Sequence, residues 1–143
     1  MAKVLILEDD PRIANYLAEL VLATGHVPLA VDAAERAQSL LETEPAIELL
    51  ILDYHLGPES TTGLAFLGAL RNSGRHQRLP VIVCSGETKP AAVTGFLSLN
   101  IVDFVKKPFR PERLIGDIER ALGARVPAVE NKSPGTRIIR ARD

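Results

Sequence analysis

The sequence predicts an α/β domain in which five parallel strands alternate with five helices. Three observations support this fold class. Five short apolar runs follow one another along the chain, and the segments between them carry apolar residues at helical spacing. Four of the five runs stop at polar residues that suit a binding site. Elements that alternate in this way form a mostly parallel sheet with helices on both faces and right-handed crossovers.

The first strand and helix have clear sequence boundaries. Residues 3–7, KVLIL, form an apolar run that stops at Glu8, as expected of a strand buried on both faces. Asp10 followed by Pro11 is typical of a helix start, because aspartate caps free backbone N–H groups and proline fits the first helical position. The helix should end before Gly25.

The second and third units repeat this alternation. Residues 27–31 form the second strand, and Asp32 is expected to cap a helix that ends before Pro45. Residues 48–52 form the third strand, which stops at Asp53. Leucines at helical spacing mark a third helix that closes near residue 74.

The last two units complete the predicted sheet. Residues 80–84 form the fourth strand, and residues 88–99 form the fourth helix. Residues 102–105 form the fifth strand. Pro111 begins a fifth helix, and Gly123 lies behind it.

Length and composition fit one globular domain. The chain has 143 residues, and 46% of them are hydrophobic, which is enough to fill one core. We assign residues 1–123 to this domain. Proline, glycine and polar residues interrupt every pattern in residues 124–143, so we expect a flexible tail there and no output domain.

Charge and cysteine content argue against several function classes. A formal net charge of −1 gives no general attraction to nucleic acid or to an anionic membrane. No apolar run is long enough to span a bilayer and no signal peptide opens the chain, so we expect a cytoplasmic location. Cys84 is the only cysteine, which excludes an internal disulfide and zinc sites made of several thiolates.

Carboxylates follow two of the predicted strands. In open α/β sheets, ligands bind beyond the carboxyl ends of the strands. The first strand places Glu8 and Asp9 at that edge, and the third strand places Asp53 there. Three converging carboxylates repel one another, and a hard divalent cation relieves that repulsion. Mg²⁺ is the expected ion because it prefers a few carboxylates together with water and phosphate oxygens.

The fourth and fifth strands supply groups that suit a phosphate. Ser85 offers a hydroxyl group, Gly86 offers an unobstructed backbone N–H, and Lys107 offers a positive charge. Together with a metal ion, these groups suit a phosphoryl group moving in line between two nucleophiles. Catalysis of such a transfer is mainly positioning and charge stabilisation.

Four segments of the chain resemble the signature segments of response-regulator receiver domains in two-component signalling. They are LILEDDP at 5–11, LILDYHL at 50–56, VIVCSG at 81–86 and DFVKKPF at 103–109. They occur in the family's order and at the expected intervals, and the match covers roughly residues 3–122. The resemblance implies a flavodoxin-like three-layer sandwich with a parallel sheet of order 2-1-3-4-5.

The resemblance also implies a phosphoacceptor and a set of metal ligands. Asp53 would accept the phosphoryl group and would contact Mg²⁺. Asp9 would bind the ion directly, Glu8 would bind it through water, and His55 would contribute its main-chain carbonyl. The donor would be a histidine kinase or a histidine phosphotransfer protein.

Further roles follow from the same resemblance. Lys107, Ser85 and Gly86 would contact the phosphoryl group, and Ser85 and Phe104 would form the switch. The chain would act as a stand-alone receiver similar to those of chemotaxis. It would signal to a downstream protein, with a homodimer possible, and would not act on nucleic acid or a membrane. It would not be a turnover enzyme, beyond slow loss of its own phosphoryl group.

Three positions depart from the commonest family pattern. Glu8 stands where aspartate is more common, and its longer side chain still suits a water-mediated role. Asn100 stands where a glycine usually follows the fourth helix, and asparagine also tolerates a left-handed conformation. The loop between Asp53 and Gly63 is longer than usual.

Other functions stay open on the sequence alone. A Mg²⁺-dependent phosphohydrolase usually has two aspartates one residue apart after its first strand, whereas Glu8 takes the first of those places here. A flavodoxin-like FMN binder needs a first loop that donates hydrogen bonds to phosphate, and this loop is acidic. A pseudo-receiver that binds proteins without being phosphorylated also fits.

We expect several other polar residues to have no role in phosphoryl transfer. Asp10 should be a helix cap, Cys84 a buried core thiol, and Lys106, His26 and His76 surface residues. The basic cluster formed by Arg71, Arg75, His76 and Arg78 is expected to be a solvated loop.

Overall fold

Strands and helices alternate along the chain as the sequence predicts. The computed structural model describes residues 1–56, 61–87 and 89–123. In chain order the elements are β1 (Lys3–Leu7), α1 (Pro11–Ala23), β2 (Val27–Val31), α2 (Ala34–Thr43), β3 (Ile47–Leu52), α3 (Gly63–Arg71), β4 (Val81–Ser85), α4 (Pro90–Leu97), β5 (Asp103–Lys106) and α5 (Pro111–Leu122). The expected tail, residues 124–143, and the middle of the loop between Asp53 and Gly63 lie outside the described residues.

The five strands form one sheet in the order β2-β1-β3-β4-β5, and every pairing is parallel. The predicted fold class and sheet order are therefore confirmed. Because β1, β3, β4 and β5 are neighbours in the sheet and run parallel, their carboxyl ends lie next to one another. This arrangement brings residues from distant parts of the sequence to one edge of the sheet.

Helices cover both faces of the sheet and bury alternate side chains of each strand. Leu5, Leu50 and Val83 face a core that also contains α2, α3 and Phe96 of α4. Val4 and Ile51 face the opposite core, against α1 and α5. Strands covered on both faces are apolar at nearly every position, which explains why they read as continuous runs in the sequence.

Two of the predicted features at helix ends are confirmed, and two are not. The side chain of Asp10 accepts the Arg12 N–H at the start of α1, as predicted. Asn100 adopts a left-handed φ of 63°, in agreement with its position after α4. The expected cap at Asp32 is wrong: Ala33 is the N-cap of α2, and Asp32 instead pairs with Arg36. Helix α4 is shorter than the predicted 88–99, since it begins at a proline and ends at Leu97.

Two of the expected surface residues have structural roles. His26 is buried, and its Nδ1 accepts the Ala2 N–H at 3.0 Å. Arg71 is partly buried at the end of α3, where its guanidinium donates to the carbonyl oxygens of Leu79 and Leu99 at 2.8 Å each. Both predictions of a solvated side chain were wrong, because each residue meets a backbone group that is distant in sequence.

The length and apolar character of the described helices fall short of those of a membrane span. None of the helices within residues 1–56, 61–87 and 89–123 has the length and apolar character that a membrane span needs.

Candidate functional site

Three carboxylates meet at the carboxyl edge of the sheet. Glu8 and Asp9 directly follow β1, and Asp53 directly follows β3. One oxygen of each carboxylate lies within 4.8 Å of the others. Glu8 and Asp53 are buried, whereas Asp9 is exposed. The sequence prediction that these three residues share one pocket is therefore confirmed.

Backbone hydrogen bonds continue beyond the strands and fix these residues in place. The Glu8 N–H donates to the Val31 carbonyl at 3.1 Å, and the Asp53 N–H donates to the Leu7 carbonyl at 3.2 Å. The Lys107 N–H donates to the Ser85 carbonyl at 2.9 Å. Each site residue thus extends a parallel ladder by one step, which positions it more rigidly than a free loop would.

Lys107 brings a positive charge into the carboxylate cluster. Its Nζ lies 2.7 Å from Oε1 of Glu8 and 3.3 Å from Oδ2 of Asp53. The side chain of Lys107 is 19% exposed, so water screens these contacts only in part. The lysine therefore partly offsets the repulsion between two of the three acids.

Burial and charge shift two pKa values at this site. Burial raises the pKa of Glu8 above its ordinary value, and the nearby Asp53 charge adds to this effect, against the opposing hydrogen bond from Lys107. Burial alone would lower the pKa of Lys107. The hydrogen bond to Glu8 and the charge of Asp53 outweigh burial, so the pKa of Lys107 is raised and its ammonium form is favoured.

A close approach by α3 shapes the segment that follows Asp53. The Tyr54 N–H donates to Oδ1 of Asp53 at 2.7 Å, and the Gly63 N–H donates to the Tyr54 carbonyl at 2.7 Å. A Cβ atom at Gly63 would lie 1.9 Å from the Asp53 carbonyl oxygen. Only glycine fits at this position. Sequence reasoning placed the end of the loop at Gly63 but did not find this contact.

Ser85 and Glu87 form a second polar layer beside the carboxylates. Oγ of Ser85 accepts the Glu87 N–H at 3.1 Å. The Glu87 carboxylate is buried, accepts the Lys89 N–H at 2.8 Å and lies 3.2 Å from Nε2 of His55. The imidazole of His55 therefore faces Glu87. Glu87 was missed by sequence reasoning because it lies two residues beyond the end of β4 and its partner His55 is remote in sequence.

The sequence of the chain matches a known protein family. The sequence profile described as the response regulator receiver domain matches residues 4–119. The chain belongs to this family.

Receiver domains of similar sequence occur in curated response regulators of plants and bacteria. The two-component response regulator ORR5 of Oryza sativa subsp. japonica is 35% identical over 104 residues, which are 72% of this chain and 76% of that protein. ORR11 from the same rice is 32% identical over 108 residues, covering 76% of this chain and 72% of the relative. The response regulator protein FleR of Pseudomonas aeruginosa is 30% identical over 133 residues, but this chain spans only 27% of FleR.

Solved receiver structures share the fold. A response regulator receiver protein from Pseudomonas putida superposes with a TM-score of 0.77 at 28% identity, covering 83% of this chain and 96% of that one. The receiver domain of NtrX from Brucella abortus gives a TM-score of 0.75 at 29% identity, with 83% and 97% covered. The Vibrio cholerae chemotaxis protein CheY4 is similar in fold alone, with a TM-score of 0.74 at 23% identity.

The donor atoms of this receiver site fit the metal that the family binds. Receiver domains bind Mg²⁺ through acidic residues, and this chain clusters Glu8, Asp9 and Asp53 at the carboxyl edge of its sheet. The set consists of carboxylate oxygens, which are the donors that a small hard cation prefers. A divalent charge would also relieve the repulsion that Lys107 offsets only in part.

The remaining predicted receiver residues occupy the same edge or its neighbourhood. Gly86 directly follows Ser85, and no heavy atom outside its chain neighbours would lie within 4 Å of a Cβ built there, so its backbone is open to approach. Phe104 on β5 is partly buried, and its ring centroid lies 5.7 Å from that of Phe96. Phe96 in turn lies 5.9 Å from the ring of Tyr54. A row of rings therefore links the residue after Asp53 to β5.

Proposed function

We propose that this receiver domain accepts a phosphoryl group on Asp53 in a Mg²⁺-dependent reaction and then signals through protein contacts. One observation carries the proposal: Asp53 belongs to an acidic cluster suited to Mg²⁺ and also contacts the ammonium group of Lys107. Membership of the receiver family supports the same assignment. The donor would be a histidine kinase or a histidine phosphotransfer protein, the partners of receiver domains in two-component systems.

The proposed reaction transfers the phosphoryl group from a histidine nitrogen to a carboxylate oxygen of Asp53. The aspartate oxygen forms the new P–O bond while the P–N bond breaks. The electron pair of the P–N bond stays on the donor's ring nitrogen, which takes up a proton from solvent. Mg²⁺, held by Asp9, Asp53 and the main-chain carbonyl of His55, with Glu8 acting through water, would supply charge stabilisation for the phosphoryl oxygens. The chain's own contribution is to position Asp53 through the Tyr54 N–H and the tight contact with Gly63.

Lys107, Ser85 and Gly86 would hold the transferred group. The ammonium of Lys107 already contacts Asp53, so it would pair with the new negative charge. Ser85 would turn its hydroxyl group from the Glu87 N–H toward the phosphoryl oxygen, and the open backbone of Gly86 would donate an N–H. The net change is a small rearrangement of the segment between β4 and α4.

The output would leave through the face formed by α4, β5 and α5. The described part of α4, Pro90–Leu97, carries no charged side chain, and Leu97 is 58% exposed on it. Phe104 lies on the neighbouring strand. A downstream protein or a second copy of the chain would bind here, and phosphorylation would bias the face between two packings.

Chemical phosphorylation tests this proposal. Purified protein incubated with phosphoramidate and Mg²⁺ should gain the mass of one phosphoryl group, and EDTA should prevent the gain. Asp53→Asn should abolish it, whereas Asp32→Asn, which changes an exposed aspartate of the same charge, should not. A wild-type chain that gains no mass would favour a pseudo-receiver. Sustained release of phosphate from a small ester would favour a phosphohydrolase.

A further inference from the structure

A second polar cavity lies at the amino-terminal edge of the sheet, opposite the carboxylate cluster. Its volume is about 220 Å³. The segment between α3 and β4 contributes Arg75, His76 and Arg78, and the segment around the start of β3 contributes Glu44 and Ile47. The receiver chemistry proposed for Asp53 does not use any of these residues.

The lining of this cavity is predominantly positive. Arg75 and Arg78 carry full positive charges at neutral pH. The one acidic member, Glu44, is already paired, since its Oε1 lies 2.7 Å from Nζ of Lys3. The Glu44 charge is therefore offset by a residue of β1, and it does not cancel the two guanidinium groups.

Hydrogen-bond donors in the cavity lining are incompletely used. Arg75 makes a long contact of 3.5 Å from Nη1 to the Glu42 carbonyl, which engages one of its five N–H groups weakly. Nε2 of His76 is buried and has no hydrogen-bond partner among the residues that the structure describes. Buried polar atoms without a partner are rare in native proteins, so the hydrogen-bonding capacity of this ring is not fully used by the described residues.

Hydrogen bonds from Arg71 hold the backbone of the loop that carries these basic side chains. Nη1 of Arg71 contacts the carbonyl oxygens of His76 at 3.4 Å, Gln77 at 3.3 Å and Leu79 at 2.8 Å. The backbone around Arg75 and Arg78 is thus tied to the end of α3. A site with a fixed backbone loses less conformational entropy when it binds a ligand.

We propose that this cavity binds a small multivalent oxyanion that carries phosphate or carboxylate groups. Guanidinium groups match both kinds of oxyanion in bidentate geometry, and Arg75 and Arg78 supply two of them. The cavity is smaller than the roughly 300–1,000 Å³ of pockets for drug-sized ligands, so the ligand should be a compact anion rather than a nucleotide. The proposal does not depend on phosphorylation of Asp53.

Backbone amide NMR of the metal-free protein tests the site. Pyrophosphate is titrated in one experiment and citrate in another, so that phosphate and carboxylate ligands are distinguished. At least one anion should produce saturable shifts in residues 44–47 and 75–79. No saturable shift with either anion, or shifts confined to residues 85–107 around Lys107, would overturn the proposal.

Paired substitutions provide the charge control. Arg75→Gln with Arg78→Gln should weaken binding at least about tenfold, because two charge-assisted contacts are lost. Arg36→Gln with Arg110→Gln removes the same charge from exposed positions and should leave the affinity unchanged. Equal weakening by both pairs would show a nonspecific charge effect and would overturn the assignment. Thermal melting verifies that each variant is folded. If the Arg75→Gln, Arg78→Gln double variant is unfolded, the single variant Arg78→Gln, at an exposed residue, replaces it.

Discussion

The ammonium group of Lys107 lies closer to Glu8 than to Asp53, with Nζ 2.7 Å from Oε1 of Glu8 and 3.3 Å from Oδ2 of Asp53. Before phosphorylation the lysine is therefore engaged mainly with a residue other than the acceptor. Any cation that binds the carboxylates competes with it.

This competition leads to the first prediction. Lys107→Ala should raise the affinity for Mg²⁺ by about tenfold, because a positive charge close to two carboxylates disfavours a second cation. The same variant should show smaller amide shifts on phosphorylation than the wild type, since the new charge loses its partner. Calorimetric titration with Mg²⁺ and NMR of the phosphorylated protein measure the two effects.

Lys106 offers a matched control for this variant. It is the neighbouring residue on β5 and is exposed, so Lys106→Ala removes the same charge at a distance from the cluster. We expect it to change neither Mg²⁺ affinity nor the phosphorylation shifts by more than a small amount. If both alanine variants bind Mg²⁺ with the affinity of the wild type, Lys107 does not compete with the metal for the carboxylates.

The second prediction concerns Gly63 at the start of α3. Gly63→Ala should lower the free energy of unfolding by about 1–3 kcal/mol, as overpacking does, because the new methyl group would meet the Asp53 carbonyl oxygen at 1.9 Å. It should also slow labelling of Asp53 by displacing the acceptor. Urea unfolding and phosphoramidate labelling measure these effects.

Gly68 provides the comparison for Gly63 within the same helix. A Cβ atom built at Gly68 meets nothing within 4 Å. Gly68→Ala should therefore leave stability unchanged or raise it by up to about 1 kcal/mol, through helix propensity. Equal stability of the two variants would mean that α3 moves freely relative to Asp53.

The sequence was sufficient to predict what depends on local pattern. Apolar runs located every strand, and the polar residues at the strand ends located Glu8, Asp9, Asp53 and Lys107, because a parallel sheet gathers those ends at one edge. Element boundaries shifted by one or two residues, as at β5, which spans Asp103–Lys106 instead of the predicted 102–105.

Features that depend on a remote partner were not predictable from one sequence. The burial of His26 depends on a backbone N–H at Ala2, and the position of Arg71 depends on carbonyl groups after α4. The pairing of Glu87 with His55 joins two loops on different strands. Neither periodicity nor residue type encodes such distances, so these side chains resemble ordinary surface residues until the fold is known.

The third prediction concerns the reactivity of Cys84. Burial raises the pKa of its thiol to about 12 from the ordinary 9.0. At pH 8 the folded protein should therefore contain about a thousandfold less thiolate than the unfolded chain, and iodoacetamide should modify Cys84 only after unfolding. Mass spectrometry of alkylated samples, with and without urea, measures the difference.

The same shift gives a stability trend with a definite sign. The unfolded chain loses the thiol proton above pH 9, whereas the folded protein retains it to about pH 12. The contribution of Cys84 is therefore intact below pH 9 and is lost as the pH rises from 9 to 12. Cys84→Ala should flatten this part of the stability profile. Rapid alkylation of the native protein at pH 8 would contradict the buried assignment.

The fourth prediction concerns Arg71 as a tie between α3 and the end of α4. Its guanidinium bonds the carbonyl oxygens of Leu99 at 2.8 Å and Asn100 at 3.3 Å, in addition to Leu79. Burial lowers the pKa of Arg71, yet the group stays charged because the ordinary pKa of arginine is very high. Arg71→Ala should lower the free energy of unfolding by about 2 kcal/mol, since the partly buried carbonyl groups of Leu79 and Leu99 lose a charged donor.

Hydrogen exchange localises the effect of this variant. The Ser98 and Leu99 amides, which close the end of α4 by bonding Thr94 and Phe96, should exchange faster in Arg71→Ala. Arg36→Ala, at an exposed position of α2, removes an arginine that pairs with the exposed Asp32 and should leave this exchange unchanged. If the amides at the end of α4 exchange as slowly in both variants as in the wild type, Arg71 does not stabilise the end of α4.

The fifth prediction follows the aromatic contacts from Asp53 to β5. Tyr54 donates its N–H to the Asp53 carboxylate, and its ring packs edge-on against Phe96, which contacts Phe104. A change at Asp53 can thus reach Phe104 through packed rings as well as through Ser85. Phe104→Ala removes the outer ring of this row while leaving the carboxylates and Lys107 intact. It should weaken phosphorylation-dependent partner binding and leave Asp53 labelling largely unchanged.

Phe109 distinguishes this role from a general loss of aromatic packing. Its ring stacks on Tyr16 of α1 at 5.9 Å, away from the row that includes Phe104. Hydrogen exchange with and without phosphoramidate should show its largest changes in residues 85–110 for wild type and for Phe109→Ala. Those changes should shrink around α4 in Phe104→Ala, because Phe96 of α4 loses its ring contact with β5. Exchange changes confined to α2 and α3 in the wild type would instead place the output on another face. In that case phosphorylation of Asp53 would not alter the packing of Phe96 and Phe104.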